Sequence, residues 1–296
     1  MTKALVIAET ESGARELCAG ARTMADEIVL VRVGAPAITG AADKCVHVDV
    51  PEGAVADDGY LTLNGIFDAE GAQVVLGEPT ERTLSLIGRL AAHAHTAAIT
   101  DAMSIEDGCA RSMYFGGAGV RSAKSAGDVA IFTVGAGVYD GAAATGTDVV
   151  EEAAFQAPST PIVKTATEAL PKSDVNLAAA DAIAAAGRGF ADEADLALLR
   201  DVAAKIGAEV GCSRPLTEAV DWFPREAYVG VSGQMVAPKV YLAAGISGQM
   251  QHMVGCNRAG TVFAINKDKN APIFKQCDFG LVGDLKTVLP ALAAAL

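Results

Sequence analysis

Four turns rich in glycine and serine lie in the last third of the chain and are the residues best suited to ligand chemistry. Each follows a short apolar run, and they are Gly187–Gly189, Gly211–Arg214, Val229–Gly233 and Gly245–His252. Glycine lets a backbone approach a ligand closely, serine hydroxyls can donate hydrogen bonds, and two of the turns also carry arginine. Turns at the carboxyl ends of parallel strands form concavities that bind anions. Any one turn could simply close a loop, but the set predicts a dinucleotide site.

Motifs for other chemistries are missing from the sequence. It contains no G-x-x-x-x-G-K-[ST] phosphate loop, no strand-linked G-x-G-x-x-G and no G-x-S-x-G turn for a nucleophilic serine. The six cysteines include no C-x-x-C pair. His93 and His95 have no cysteine or carboxylate at ligand spacing. We therefore expect free, buried thiols, no metal site and no catalytic residue.

Strands and helices alternate in the first half of the chain. Its short apolar runs are residues 4–8, 27–33, 45–50 and 73–76. Because several of them are separated by segments of helical spacing, they predict a mostly parallel sheet that is flanked by helices. Residues 112–115, 120–122 and 129–133 are separated by glycine-rich or polar turns, and we expect antiparallel strands there, at one edge.

Length and composition favour two domains of this α/β class. The chain has 296 residues, about twice the length of a typical domain. Residues 156–173 contain three prolines and show little hydrophobic periodicity, which is typical of a linker. We expect an N-terminal α/β domain at residues 1–170, with an interaction and scaffold role, and a C-terminal dinucleotide-binding domain at residues 171–296.

Charge and hydropathy argue against several kinds of partner. No apolar run approaches the roughly 20 residues of a membrane span, and the N-terminus lacks the apolar segment of a signal peptide, so we expect a soluble, cytoplasmic protein without membrane insertion. Residues 1–200 carry 14 Lys and Arg against 28 Asp and Glu, whereas residues 201–296 carry nine against eight. The acidic first half argues against nucleic acid as a partner. The nearly neutral second part would tolerate an anionic ligand.

A series of segments in the second half carries a resemblance to a known family. They follow one another with hardly a gap and are Arg214–Pro215, Asp221–Pro224, Val229–Gly230, Val236–Pro238, Tyr241, Gly245–Gly248, Gln251–His252, Ala264–Asp268, Ala271–Phe274 and Gly280–Leu285. With them, the region resembles the C-terminal flavin domain of the electron transfer flavoprotein α subunit, a family that includes the FixB proteins. The first half matches more weakly but in register, from Val6–Glu9 to Tyr139–Ala143.

The resemblance implies that the chain binds FAD. Arg188 would meet the nucleotide end, Ser213 and Arg214 would lie beside the pyrophosphate and the flavin ring, and Asn266 and Asp284 would hold the adenosine. The full set of expected contacts is Arg188, Ser213, Arg214, Gly230, Val231, Ser232, Ser247, Gly248, Gln249, Met250, Gln251, His252, Asn266, Asp284 and Leu285.

Three of these residues are expected to tune the flavin. Arg214 and His252 would place a cation or a hydrogen-bond donor near the pyrimidine end, where reduction adds negative charge. The family commonly has Gln-Thr where this chain has Val231 and Ser232. A side-chain amide is therefore lost beside the ring, while the hydroxyl of Ser232 is kept.

The resemblance also implies a function and its partners. An electron carrier needs no acid, base or nucleophile from the protein because the cofactor does the chemistry, and this sequence has that character. We expect an α subunit that pairs with a β subunit, takes electrons from a flavin dehydrogenase of the acyl-CoA type, as in fatty acid β-oxidation, and passes them to a quinone oxidoreductase or another acceptor. The alternatives are an electron-bifurcating subunit that uses NADH, a stand-alone NAD-binding enzyme, and an interaction subunit without flavin.

Overall fold

The computed structural model describes residues 2–115, 119–168 and 175–296. The chain divides into two compact units, one of residues 2–114 with 119–168 and one of residue 115 with residues 175–296. The predicted domain boundary between residues 170 and 171 lies outside the described residues. Within the described ranges, no helix is long and apolar enough to cross a membrane.

The first unit alternates strands with helices. Its elements are β1 (Lys3–Ile7), α1 (Glu11–Ala21), β2 (Glu27–Val33), β3 (Lys44–Val48), α2 (Tyr60–Glu70), β4 (Val74–Gly77), α3 (Glu81–His93), β5 (Ala98–Glu106), β6 (Cys109–Tyr114), β7 (Gly119–Lys124), β8 (Ala130–Val134) and β9 (Val150–Glu152). The hydroxyls of Thr10 and Thr80 accept backbone hydrogen bonds at the start of α1 and α3. These two helices therefore begin where the sequence supplies a good N-cap.

Nine strands in the described part of this unit form one sheet, in the order β7-β6-β5-β8-β4-β1-β2-β3-β9. In this spatial order, the seven strands β5-β8-β4-β1-β2-β3-β9 are each parallel to their neighbours. Strand β6 is antiparallel to both β5 and β7. The predicted parallel-dominated sheet is confirmed. The prediction for residues 129–133 is wrong, because β8 lies inside the sheet and is parallel to both of its neighbours. The residues Ile131–Val134 are buried, as a central parallel strand requires.

Helices cover both faces of the first sheet. Leu17 of α1 packs on one face, and Leu63 of α2 and Leu90 of α3 pack on the other. Because successive side chains of a strand point to opposite faces, Val6 joins the cluster on α1 and Leu5 joins the cluster on α2 and α3. The short apolar strands are therefore buried on both sides.

The first part of the expected linker packs against the first unit. The N–H of Gln156 donates to Oγ1 of Thr62 at 2.7 Å, and the N–H of Ile162 donates to the carboxylate of Asp58, also at 2.7 Å. Pro158 between them is buried. Residues 156–162 therefore belong to the first unit and do not form a free linker.

The second unit is a smaller α/β unit. Its elements are β10 (Ala182–Ala186), α4 (Leu196–Ile206), β11 (Glu209–Cys212), α5 (Pro215–Glu218), β12 (Val240–Ala244), α6 (Met250–Met253), β13 (Thr261–Asn266), β14 (Phe279–Val282) and α7 (Leu285–Ala295). The strands are parallel and form a five-stranded sheet in the order β11-β10-β12-β13-β14. The direction of winding reverses between β10 and β12. A reversal of this kind leaves a crevice beyond the carboxyl ends of the two strands.

Small side chains allow close packing on both faces of the second sheet. Ala184 of β10 faces a cluster that contains Leu199 of α4 and Leu289 of α7. Ala185 faces the opposite cluster, to which the loops after β11 and β13 contribute Val229 and Ile273. The α/β class predicted for this part of the chain is confirmed.

Candidate functional site

A cleft of about 660 Å³ lies beyond the carboxyl ends of the strands of the second unit. This volume is within the range of roughly 300 to 1,000 Å³ that is usual for small-molecule sites. Every strand of the sheet leads into it, β10 through Arg188, β11 through Ser213, β12 through Ser247, β13 through Lys267 and β14 through Asp284. Because the residues after β10 and β12 are among its lining, the cleft includes the point where the strand order reverses.

Most of the expected cofactor contacts line this cleft. They are Arg188, Ser213, Arg214, Ser247, Gln249, Gln251, His252, Asn266, Asp284 and Leu285. The remaining expected contacts are outside the lining and are Gly230, Val231, Ser232, Gly248 and Met250. The turn that holds three of these is nevertheless tied to the cleft, because the N–H of Val231 donates to the carbonyl of Gln251 at 2.8 Å.

Some lining residues are not among the expected contacts. They include Tyr228, Lys267, Asp268, Ala271 and Pro272. Four of these lie within the segments 264–268 and 271–274. Because those segments carry the family resemblance, the sequence could have predicted these four as site residues. Tyr228 lies next to the matching pair Val229–Gly230, and its hydroxyl is 3.1 Å from Oγ of Ser232. Ser232 therefore reaches the cleft through Tyr228.

The turns after β10 and β12 contact each other backbone to backbone. The N–H of Gly189 donates to the carbonyl of Gly245 at 2.9 Å. A Cβ on Gly189 would lie 2.6 Å from Cα of Gly245, and one on Gly187 would collide with the Gly245 carbonyl. Contact between the turns accounts for these glycines, whereas the sequence pattern suggested the approach of a ligand as the reason.

A second backbone contact holds the segment from Ser247 to His252 in place. Gly248 has a φ of +82°, and a Cβ there would collide with the backbone of Ile273. The N–H of Ile273 donates to the carbonyl of Ser247 at 3.0 Å, and Nε2 of Gln276 donates to the carbonyl of Gly248 at 2.9 Å. The turn after β12 is therefore fixed by the chain that follows β13.

Charged side chains of both signs line the cleft. They are Arg188, Arg214, Lys267, Asp268 and Asp284. Nε of Arg214 donates to Oε2 of Glu218 at 2.6 Å, and the two side chains are 61% and 50% exposed. This hydrogen bond raises the pKa of Arg214. Glu218 therefore offsets part of the positive charge that Arg214 brings to the cleft.

His252 is buried at the edge of the cleft, with Nε2 at 2.9 Å from the hydroxyl of Tyr241. Desolvation lowers the pKa of His252 to about 4, against a smaller opposing effect of the Val229 backbone, so the ring is neutral at neutral pH. Its Nδ1 is buried and makes no hydrogen bond of standard geometry in the described structure, although the backbone of Val229 interacts with the ring. Of the two roles expected at this position, the neutral ring of the free chain fits a hydrogen-bonding group and not a cation.

The two residues expected at the adenosine end also have structural roles. Nδ2 of Asn266 donates to the carbonyl of Ile246, and its Oδ1 accepts from the N–H of Asp268, both at 2.9 Å. The carboxylate of Asp284 caps α7 by accepting from the N–H of Lys286 at 2.9 Å. Both side chains therefore hold the turns that carry them.

The cysteines contribute no metal or disulfide chemistry to the described structure. All six are free, and Cys18, Cys45, Cys212 and Cys256 are buried. Burial raises the pKa of three of them, Cys18, Cys212 and Cys256, to about 12, so these thiols keep their protons at neutral pH. In the described ranges, no group of three or more His, Cys, Asp or Glu is placed to hold a metal ion.

Comparison with protein families assigns each unit separately. Residues 5–159 match a family described as the electron transfer flavoprotein domain, and residues 176–257 match the electron transfer flavoprotein FAD-binding domain. The second match includes three of the turns that line the cleft. Fold and site therefore define an electron transfer flavoprotein subunit with a flavin-binding C-terminal domain.

Whole-chain relatives identify the subunit. Protein FixB from Shigella dysenteriae serotype 1 (strain Sd197) and Protein FixB from Escherichia coli (strain K12) are each 38% identical to this chain over 303 residues, which covers 98% of this chain and 97% of the relative. The chain belongs to the electron transfer flavoprotein α subunit family, FixB. Membership of this family implies a heterodimer with a β subunit and partners for electron transfer.

Among solved structures, benzoylformate decarboxylase from Polynucleobacter necessarius aligns with 98% of this chain and 58% of its own. Sequence identity is 10% and the TM-score is 0.26. These values are too low to indicate a shared fold.

Proposed function

We propose that this chain binds FAD in the cleft of the second unit and serves as the α subunit of a heterodimeric electron carrier. One observation carries the proposal. The residues that follow all five strands of the sheet converge on one cleft of about 660 Å³. Much of the cleft lies in the segment that matches the FAD-binding domain, residues 176–257.

The chemistry of the lining fits a flavin dinucleotide. Such a cofactor combines an anionic pyrophosphate with a ring whose pyrimidine end presents hydrogen-bond acceptors. Arg188, Arg214 and Lys267 offer positive charge, and Ser247 offers a hydroxyl. Nδ1 of His252 is a buried polar atom that makes no hydrogen bond of standard geometry in the described structure, and leaving such an atom unsatisfied is costly. A bound FAD would offer a hydrogen-bond acceptor to that atom, and its anionic pyrophosphate would interact with the positive side chains.

The protein's own part in the reaction is binding and tuning. Bound FAD supplies the electron-transfer chemistry, and the chain sets its orientation and electrostatic surroundings. A cation or a donor beside the pyrimidine end favours the reduced states over the oxidised state. Arg214 provides the cation, attenuated by Glu218, and His252 provides a neutral hydrogen-bonding group.

The proposed partners are a β subunit, an electron donor and an electron acceptor. The first unit is proposed to pack against the β subunit, since residues 5–159 match a domain of this family. The proposed donor is a flavin dehydrogenase of the acyl-CoA type, which would place the carrier in fatty acid β-oxidation. The proposed acceptor is a quinone oxidoreductase or another acceptor.

The experiment compares FAD binding by the chain alone with FAD binding by the chain co-purified with its β subunit. We expect weak, exchangeable binding by the chain alone and tight binding by the heterodimer, because the family's site is completed by a second subunit. A monomer that retains stoichiometric, non-exchanging FAD would contradict the heterodimeric site.

A second experiment addresses the donor. The oxidised heterodimer is mixed anaerobically with a substrate-reduced acyl-CoA dehydrogenase or with NADH, and the flavin absorbance is followed. Bleaching by the dehydrogenase and not by NADH is expected. Bleaching by NADH alone would contradict the proposed donor and favour the electron-bifurcating alternative.

A further inference from the structure

A buried polar cluster lies behind His252, and the binding of FAD does not by itself explain it. Tyr241 of β12 is fully buried, and its hydroxyl oxygen is 2.9 Å from Nε2 of His252. Cys256 is also buried, and its thiol donates to the backbone carbonyl of His252 over 3.9 Å. The three residues form one hydrogen-bonded group that adjoins the cleft only through His252.

The tyrosine is the rigid member of this group. Tyr241 lies on a central strand, where it pairs with Ile183 of β10 and Val262 of β13. Its ring is part of the core on that face of the sheet. His252, by contrast, belongs to the four-residue helix α6. The position of the Tyr241 hydroxyl is therefore set by the sheet, and it can orient the histidine.

The protons available in the cluster decide which way the hydrogen bonds run. Burial raises the pKa of Tyr241 well above 10, so its hydroxyl keeps a proton, and the neutral His252 ring carries a single N–H. The thiol proton of Cys256 is directed to the His252 carbonyl. For the tyrosine proton the acceptors are an imidazole nitrogen and a thiol sulfur, and sulfur is the weaker acceptor. Tyr241 therefore donates to Nε2.

We infer that Tyr241 is a positioning residue whose hydroxyl donates to Nε2 of His252 and so keeps the ring proton on Nδ1, the buried nitrogen that makes no hydrogen bond of standard geometry in the described structure. In a neutral histidine, the hydrogen bond at one nitrogen determines which tautomer is present. His252 then presents an N–H donor to a ligand in the cleft. The inference rests on the proposed function in one respect, namely that this ligand is a flavin whose pyrimidine carbonyl accepts the hydrogen bond.

The tautomer can be measured without any flavin. The full chain contains four histidines, so ¹⁵N NMR of histidine-labelled protein can resolve His252 at neutral pH. We expect a protonated Nδ1 and an unprotonated Nε2 in the wild type, and a large population of the Nε2–H tautomer in Tyr241→Phe. Tyr228→Phe is the matched control, since its hydroxyl contacts Ser232, and should leave the tautomer unchanged. A wild-type His252 protonated on Nε2 would overturn the inference, whether or not any variant folds.

The consequence for the cofactor is measured in the heterodimer. Loss of one donor should weaken FAD retention by about two- to tenfold in Tyr241→Phe and lower the one-electron potential of the flavin. A folded Tyr241→Phe heterodimer with unchanged affinity and potential would overturn the role toward the flavin. If the wild-type heterodimer bound no FAD, the proposed function would be wrong, and the tautomer measurement on the free chain would still decide whether Tyr241 positions His252.

Discussion

Nε of Arg214 lies 2.6 Å from Oε2 of Glu218, so an arginine that lines the cleft is paired with a carboxylate one helical turn away. Neither side chain is enclosed, as they are 61% and 50% exposed. Solvent therefore screens both charges, and each contributes a moderate field to the flavin site. The pair allows the two contributions to be separated by mutation.

Removal of either member of this pair should shift the flavin potential, in opposite directions. Arg214→Ala removes a cation and should lower the first reduction potential, whereas Glu218→Gln removes an anion and should raise it, each by roughly tens of millivolts. Spectroelectrochemical titration of the heterodimer gives both shifts. Arg225→Ala, an exposed arginine outside the cleft lining, is the control and should have almost no effect. Potentials unchanged by Arg214→Ala would rule out the tuning role.

Asp284 should affect cofactor retention and helix stability but not the potential. Asp284→Ala removes the cap of α7, in which the carboxylate accepts from the N–H of Lys286, and should lower the free energy of unfolding by about 1 kcal/mol. Asp284→Ala should also weaken the binding of FAD. Asp284→Asn keeps a capping oxygen and should restore most of the stability. Chemical unfolding, FAD release and redox titration of both variants are the measurements, and a large potential shift with intact binding would contradict a role at the adenosine end.

Gly248 and Gly207 form a matched pair for testing the turn after β12. Both have a positive φ, +82° and +64°, but a Cβ on Gly248 would collide with Ile273 whereas one on Gly207 meets nothing within 4 Å. Gly207→Ala should cost about 1 kcal/mol of stability through backbone strain alone. Gly248→Ala should cost about 3 kcal/mol and also abolish FAD retention, because the segment after it lines the cleft. Urea unfolding gives both values, and equal losses would contradict the packing described.

The free chain should lose stability in mild acid because of His252. An unfolded histidine has a pKa of roughly 6.5, whereas burial lowers the pKa of His252 to about 4. Below about pH 6.5 the unfolded chain therefore binds a proton that the folded chain excludes, and stability falls as the pH approaches 4.

The measurement for this effect is urea unfolding of the wild type and His252→Gln at about pH 7 and about pH 5. The wild type should lose about 2 kcal/mol more than the variant between the two conditions. Equal losses in the two proteins would show that His252 is not buried in a neutral form.

Local patterns made much of the second unit predictable. The turns at residues 187–189 and 245–252 follow short apolar strands, and parallel strands bring such turns to one edge of a sheet. Most of the expected contacts consequently line one cleft. The two family matches confirm the family that the residues from Arg214 onward suggested.

Long-range packing explains what could not be predicted. The run 129–133 is equally compatible with an edge strand and a central strand, and only its burial between β4 and β5 distinguishes the two. The neutral state of His252 depends on its burial, and its ring contacts Tyr241, which is eleven residues away. The contact between Gly189 and Gly245 likewise joins residues that are distant in sequence.

The visible absorption spectrum of the chain co-expressed with its β subunit, recorded after gel filtration, tests the central claim most directly. The proposed FAD site predicts flavin bands that elute with the heterodimer, with one FAD in this cleft, and that weaken when Arg188 and Ser247 are both replaced by alanine. A heterodimer that elutes without flavin bands, even after incubation with FAD, would contradict the claim.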